Sequence, residues 1–340
     1  MKINHDIIQK RSVLKRMKQW RNERNIIKYF LNRFEWHSYP RLSVVRAYPI
    51  HIDIEPTSYC QLQCPMCFRQ HRKVEKQGHM SFDLFKKIID EIEGKVYSIK
   101  FTGRGEPLLN KELPRFIEYV KGKKFGEVAL ITNGQLLTES LMHTFIDSGL
   151  DRIAFSIDGL KKQYESIRYP MRYEEIYAIV KTLYNLRKSR EASKPIIRIQ
   201  SVHTSIEDEN EFLKRWNPIV DDILFLFYKD YALRTYNDKQ ARYACPLLYQ
   251  RMMIHWDGTI PMCVNDEYEE TILGDVNTKS IQAVWKGSCY HQARLVHRKG
   301  LRDKVYANCS KCALHREGHG KSFWGEEKII RDTLCNEALC

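Results

Sequence analysis

The sequence reads as an α/β chain, a parallel sheet or partial barrel of six strand–helix units with a small cysteine-rich appendage. Three observations lead there. Short β-rich apolar runs alternate with helical patterns. The alternation stops near residue 235 and gives way to short segments rich in Cys, Gly, Trp and Tyr. The length, 340 residues, suits one main α/β domain plus an appendage. The expected division is a basic helical extension over 1–47, the strand–helix units over 48–234, the appendage over 235–325 and a tail over 326–340.

Taken in order, the strands are expected at 50–55 (IHIDIE), 96–102 (VYSIKFT), 127–132 (EVALIT), 152–158 (RIAFSID), 196–202 (IIRIQSV) and 222–228 (DILFLFY). The helices fall at 81–93, with Ser81 as cap and Asp83 in the first turn, at 111–122, at 138–148 with Thr138 as cap, at 172–190 and at 206–216. Loops at the carboxyl ends of such strands carry the chemistry. No fixed repeat or low-complexity segment interrupts the pattern.

The net charge of +14 is uneven: the first fifty residues hold twelve Lys or Arg against Asp6, Glu23 and Glu35. Apolar residues recur among these bases at roughly helical spacing, which suits an amphipathic helix capping the fold with a solvated basic face. The same pattern also suits an anionic membrane surface, a nucleic acid or an acidic peptide, but no spaced pattern of aromatic and basic strands supports nucleic-acid binding. No run of about 18 apolar residues and no compact signal core occurs, so a soluble, cytoplasmic protein is expected. In that compartment thiols stay reduced, and the ten cysteines are expected as metal ligands or catalytic groups rather than disulfides.

Three of them, Cys60, Cys64 and Cys67, lie in "SYCQLQCPMC" directly after the first strand. Three thiolates leave a zinc ion one ligand short, a place that His71 would fill, whereas a [4Fe–4S] cluster on three cysteines keeps one iron open. After the second strand, "FTGRGEPLL" offers Gly103 and Gly105, which let a backbone approach a ligand closely.

These motifs, with "ITNG" at the third strand and "SIDG" at the fourth, resemble the radical S-adenosylmethionine (SAM) superfamily over roughly residues 48–230. The resemblance implies a partial (β/α)6 barrel in which Cys60, Cys64 and Cys67 ligate a [4Fe–4S] cluster whose open iron chelates SAM. Gly103, Gly105, Glu106 and Pro107 are then placed on the methionine end of SAM. Ser156 falls near its ribose or carboxylate, Arg168 in "ESIRYP" pairs with the carboxylate, and Gln200 contacts ribose or adenine. Met66 stands where the superfamily usually has an aromatic residue, and its thioether can pack on adenine.

In the appendage Cys245, Gly258 and Cys263 read as C-x12-G-x4-C, and Cys309 and Cys312 follow in "CSKC". Four thiols also fit a zinc ribbon. The pattern resembles the SPASM/Twitch appendage of radical SAM enzymes, in the reduced form found in inosamine dehydrogenases, because Gly318 stands where the full pattern continues with cysteine. One auxiliary cluster is implied, and two clusters in all. Cys289, Cys335 and Cys340 are left over as buried or tail residues, or as candidate hydrogen-atom donors.

The resemblance implies an oxidoreductase that dehydrogenates a sugar-like or peptide substrate with the auxiliary cluster as electron acceptor. The alternatives are an epimerase with a cysteine donor and a peptide-crosslinking maturase. A reductant such as flavodoxin or ferredoxin is the implied partner. The positive charge favours an anionic substrate, met by the Tyr- and Arg-rich connection 228–243.

Overall fold

The structure is a computed structural model that describes residues 26–202, 209–226, 244–310 and 312. The first part of the basic leader, the connection 228–243, and the tail with Gly318, Cys335 and Cys340 lie outside the described residues.

Six parallel strands stand where the sequence places them: β1 (His51–Ile54), β2 (Ser98–Phe101), β3 (Glu127–Thr132), β4 (Arg152–Ser156), β5 (Ile196–Val202) and β6 (Asp222–Leu226). The appendage adds a seventh strand that the alternation does not announce, β7 (Arg251–Ile254), parallel to β1 with His51 opposite Arg251. The sheet order is β6-β5-β4-β3-β2-β1-β7, open rather than closed, with β6 and β7 at its edges. A separate antiparallel pair, β8 (Thr259–Pro261) and β9 (Ile272–Asp275), completes the appendage.

The expected helices form at Phe82–Ile92, Leu113–Lys121, Glu139–Asp147, Tyr173–Ser189 and Glu209–Trp216. Ser81 and Thr138 cap as anticipated, their hydroxyls accepting from the Leu84 amide at 3.2 Å and the Leu141 amide at 3.3 Å. The short helix Lys161–Ile167 was not foreseen. The described part of the leader is a helix, Ile26–Leu42, whose Trp36 carbonyl accepts from Gln250 Nε2 at 2.7 Å. It therefore packs on the appendage, as a capping helix would, while Ile27, Phe30, Leu31 and Phe34 stay exposed.

The sheet's two faces differ. Ile52, Ile54, Ile99, Phe101, Leu130, Phe155 and Ile199 share one buried cluster with the helix residues Phe85, Phe116, Phe145, Val180 and Trp216. The opposite face carries charge on the alternate residues. There Lys100 and Arg251 grip the fully buried Asp53 at 2.9 and 2.7 Å. Arg152 meets Glu127 at 2.9 Å, and Arg198 Nε meets Asp222 at 2.9 Å. Burial alone would raise the Asp53 pKa, but Arg251 and Lys100 overcome it and hold the carboxyl well below the usual range.

A cysteine loop, a glycine cradle and a second thiol set

The loop after β1 is closed at its base by side chains that satisfy backbone groups. Thr57 Oγ1 donates to the Gly78 carbonyl at 2.8 Å, and Ser58 Oγ accepts from the Gly78 amide at 3.0 Å. Within it the Cys67 amide donates to the Cys64 carbonyl at 2.9 Å, turning the chain so that three thiols gather. Burial, with the neighbouring thiols adding to it, pushes the Cys60 thiol up to about 11, and burial also raises Cys64 and Cys67. Cys64 is buried and Cys60 and Cys67 half-buried, and thiols so placed resist ionising unless a cationic centre takes them as thiolates, which is what an iron–sulfur cluster does. His71, the fourth ligand that a Cys3His zinc site would need, is exposed.

The loop after β2 fits against this one. A Cβ on Gly105 would lie 2.3 Å from the Tyr59 carbonyl oxygen and 2.4 Å from that of Thr57, so no other residue fits without moving the backbone. Glu106 is buried and ties two loops together. Its carboxylate accepts from Thr132 Oγ1 at 2.5 Å, from the Asn133 amide at 2.7 Å and from the Leu108 amide at 3.2 Å. Burial raises its pKa to about 7 despite these donors. Pro107, also buried, opens the turn Pro107–Leu109. Gln61 reaches from the cysteine loop to Asn133 and Gln135, at 3.3 and 3.0 Å.

At the end of β4, Ser156 sits in register with Gln200 of β5, on the charged face. Arg168 Nε donates to Asp158 at 2.6 Å, and its Nη1 lies 3.9 Å from Cys64 Sγ. Arg168 is thus held within the protein by Asp158 and set beside the cysteine loop. Met66 is half-buried on that loop. The cysteine loop, residues 103–107, Ser156 and Arg168 lie around the carboxyl ends of β1, β2 and β4, with Gln200 in register beside Ser156. Cys289 lies on the helix Ser288–Arg298, which packs on other appendage elements. Cys335 and Cys340 lie outside the described residues.

A second thiol set forms in the appendage. Gly258, at φ +92°, makes the tight turn from β7 to β8, with the His255 amide donating to the Thr259 carbonyl at 2.9 Å. That turn delivers Cys263 beside Cys245, Cys309 and Cys312. Burial first, then Cys245 and Cys309, push the Cys263 thiol well above its ordinary value, and burial takes Cys245 to about 11. The donor chemistry fits a cluster here as at the first loop.

Sequence reading passed over several residues that build these sites. Arg104 lies inside the quoted "GRGEP", yet its role shows only in space: it forks onto the buried Glu55 at 2.8 and 2.9 Å and meets Glu269 at 3.0 Å. Asp158 stood in "SIDG" without being assigned. His297, whose Nε2 is 3.6 Å from Cys309 Sγ, carries no local signal at all.

Comparison with known proteins agrees with this geometry. Residues 54–197 match the radical SAM superfamily, and residues 245–313 match SPASM, an iron–sulfur cluster-binding domain. The tungsten-containing aldehyde ferredoxin oxidoreductase cofactor-modifying protein of Pyrococcus furiosus is 26% identical over 348 residues, covering 85% of this chain and 96% of its own. Among solved structures, BtrN in complex with AdoMet and 2-DOIA superposes with a TM-score of 0.51 at 16% identity, over 77% of this chain and 92% of that one. The structure of anSMEcpe with AdoMet and the Cp18Cys peptide gives 0.54 at 16% identity, over 78% and 86%. At such identities these two likenesses speak for the fold.

Proposed function

Because the chain belongs to the radical SAM superfamily and carries a SPASM domain, and with them [4Fe–4S] clusters and SAM as cofactors, we propose that it is an oxidoreductase that removes two electrons from a C–H bond of a polar substrate. When bound, the first cluster and SAM supply one-electron cleavage of the sulfonium and abstraction of a substrate hydrogen atom, and the second cluster supplies an acceptor for the electron the substrate then gives up.

The chain's own residues do the rest. Cys60, Cys64 and Cys67 hold the first cluster. Residues 103–107 offer their backbone to SAM, with Gly105 permitting the approach and Glu106 fixing the loop to Thr132 and Asn133. Arg168, oriented by Asp158, presents a cation beside Cys64, where a carboxylate of SAM would meet it. Ser156 and Gln200, side by side on the charged face, offer hydrogen bonds to a ribose.

One observation carries the oxidoreductase reading. The appendage brings four thiols together, with Cys245, Cys309 and Cys312 all acting on the Cys263 thiol, and β7, which leads from Cys245 towards Cys263, pairs directly with β1. A full set of protein ligands suits electron transfer better than substrate chelation. The charged face, where Lys100 and Arg251 pair with Asp53, Arg152 with Glu127 and Arg198 with Asp222, supports a polar substrate over an apolar one. A small molecule bound by BtrN and a peptide bound by anSMEcpe are the two substrate types among its structural neighbours. Dithionite-reduced protein with SAM is expected to release 5'-deoxyadenosine. In D2O, a product lighter by two hydrogens and free of solvent deuterium supports oxidation. A product of unchanged connectivity carrying one deuterium contradicts it and points to epimerisation.

A further inference from the structure

The segment that follows Cys263 touches both loops of the first site. Asp266, three residues on and almost fully buried, accepts from the amides of Glu270 and Thr271, each at 2.9 Å, and so shapes the turn Tyr268–Glu270. Glu269 in that turn has φ +57°, a left-handed conformation that glutamate adopts only when its surroundings hold it there. Its surroundings are His255 Nδ1 at 2.8 Å and Arg104 Nη1 at 3.0 Å. Arg104 is next to Gly105, and its own amide donates to Glu55 at 2.7 Å. On the other side of the turn, Tyr268 Oη donates to the carbonyl of Phe68 at 3.1 Å. Phe68 is the residue after Cys67. A chain of short contacts therefore runs from Cys263, whose carbonyl accepts from the Asp266 amide at 3.0 Å, to the backbone beside Cys67 and to Arg104, the neighbour of Gly105.

Arg104 is 5% exposed and the Glu269 side chain 26%, so their ion pair is only partly screened, while the fully buried Glu55 fixes Arg104 from its other side. Tyr268 reaches the cysteine loop at the Phe68 carbonyl, and Glu269 reaches the loop after β2 at Arg104. Their contacts go to the two loops, so their place is to set loop geometry rather than to touch substrate.

We propose that the Tyr268–Glu270 turn couples the auxiliary-cluster loop to the SAM-binding loop, with Glu269 as a positioning residue that sets SAM affinity through Arg104. The proposal rests on the reading of residues 103–107 as the SAM-binding loop. The auxiliary site then has a second role besides taking an electron: its loop, when ordered, holds the first site in the geometry that binds SAM.

The test uses the full chain, anaerobically reconstituted, with radiolabelled SAM in equilibrium dialysis and amide hydrogen exchange in the absence of SAM. Glu269→Asn tolerates the left-handed backbone but cannot reach Arg104. It is expected to weaken SAM binding about tenfold and to speed exchange at the amides of residues 104–106, with iron content unchanged. Cys263→Ala is expected to weaken SAM binding in the native background and to add nothing further to Glu269→Asn, a non-additivity that a merely structural role would not produce. Unchanged affinity and unchanged exchange in Glu269→Asn overturn the coupling. Should that variant lose its iron, Glu269→Gln decides: it keeps the side-chain length and loses the charge, and unchanged affinity and exchange in it overturn the proposal equally. If Gly105→Ala abolishes SAM binding while both Glu269 variants bind as the native chain does, the SAM loop stands and only the coupling falls. If the native chain binds no SAM, both fall.

Discussion

Gly105 is the position where one methyl group tells most. An alanine Cβ there would sit within 2.4 Å of two carbonyl oxygens of the cysteine loop, a contact between backbones that neither a rotamer change nor a small shift of a side chain relieves. Gly105→Ala is expected to weaken SAM binding at least tenfold, a loss of about 1.4 kcal/mol or more, while the iron bound at Cys60, Cys64 and Cys67 is retained; equilibrium dialysis and iron analysis check the two halves. At this scale the sequence was informative wherever a residue acts within its own motif. Cys60, Cys64, Cys67, Gly103, Gly105, Glu106 and Pro107 lie in the segments that directly follow β1 and β2, as their motifs suggest. The residues that act across motifs were not legible, because Arg104–Glu55, Arg168–Asp158 and Arg104–Glu269 join positions 49, 10 and 165 apart, and nothing in a local pattern reports such a pairing. Arg168 shows the difference: its sequence position suggested a free cation awaiting a carboxylate, and its carboxylate partner in the protein is Asp158.

At the scale of elements, alternation placed all six strands within two residues, and the capping hydroxyls of Ser81 and Thr138 placed two helix starts. The same alternation held a message that was not used. Parallel strands covered on both faces read as continuous apolar runs, whereas "HIDI" and "SIKF" alternate apolar and charged residues, the mark of one polar face. That face is costly unless every charge is matched, and Asp53, fully buried between Arg251 and Lys100, is the extreme case. Asp53→Asn leaves two buried cations without their partner and is expected to destabilise the fold by about 3 kcal/mol, measured by denaturant unfolding at neutral pH. The sign with pH follows from the depressed pKa: Asp53's contribution is present above its ordinary value of 3.8 and is lost only as the pH falls through the lower folded value. β7 escaped the sequence reading for a different reason. It is a four-residue strand next to a second thiol set, and only the partner strand β1 makes it part of the main sheet.

For the whole molecule, the pairing of β7 with β1 makes the appendage structurally continuous with the sheet that carries the first cysteine loop. β1 lies between β2 and β7, so the strand that launches Cys60, Cys64 and Cys67 is held on one side by the sheet and on the other by the appendage. Trp256, just after β7, packs so tightly on Gly78 of the cysteine loop that a Cβ there would meet its ring at 2.2 Å. Residues 1–25 of the basic leader and the tail lie outside the described residues, and among the described residues no helix is long and apolar enough to cross a membrane. On the proposed reading one body holds two iron–sulfur clusters, an open one at the sheet's carboxyl edge and a closed one in the appendage. The direct test is iron and acid-labile sulfide per chain after anaerobic reconstitution, for the native protein and for the variant with Cys60, Cys64 and Cys67 all replaced by Ala. About eight irons falling to about four is the expected result. A colourless protein holding about one or two zinc ions and no sulfide would contradict it.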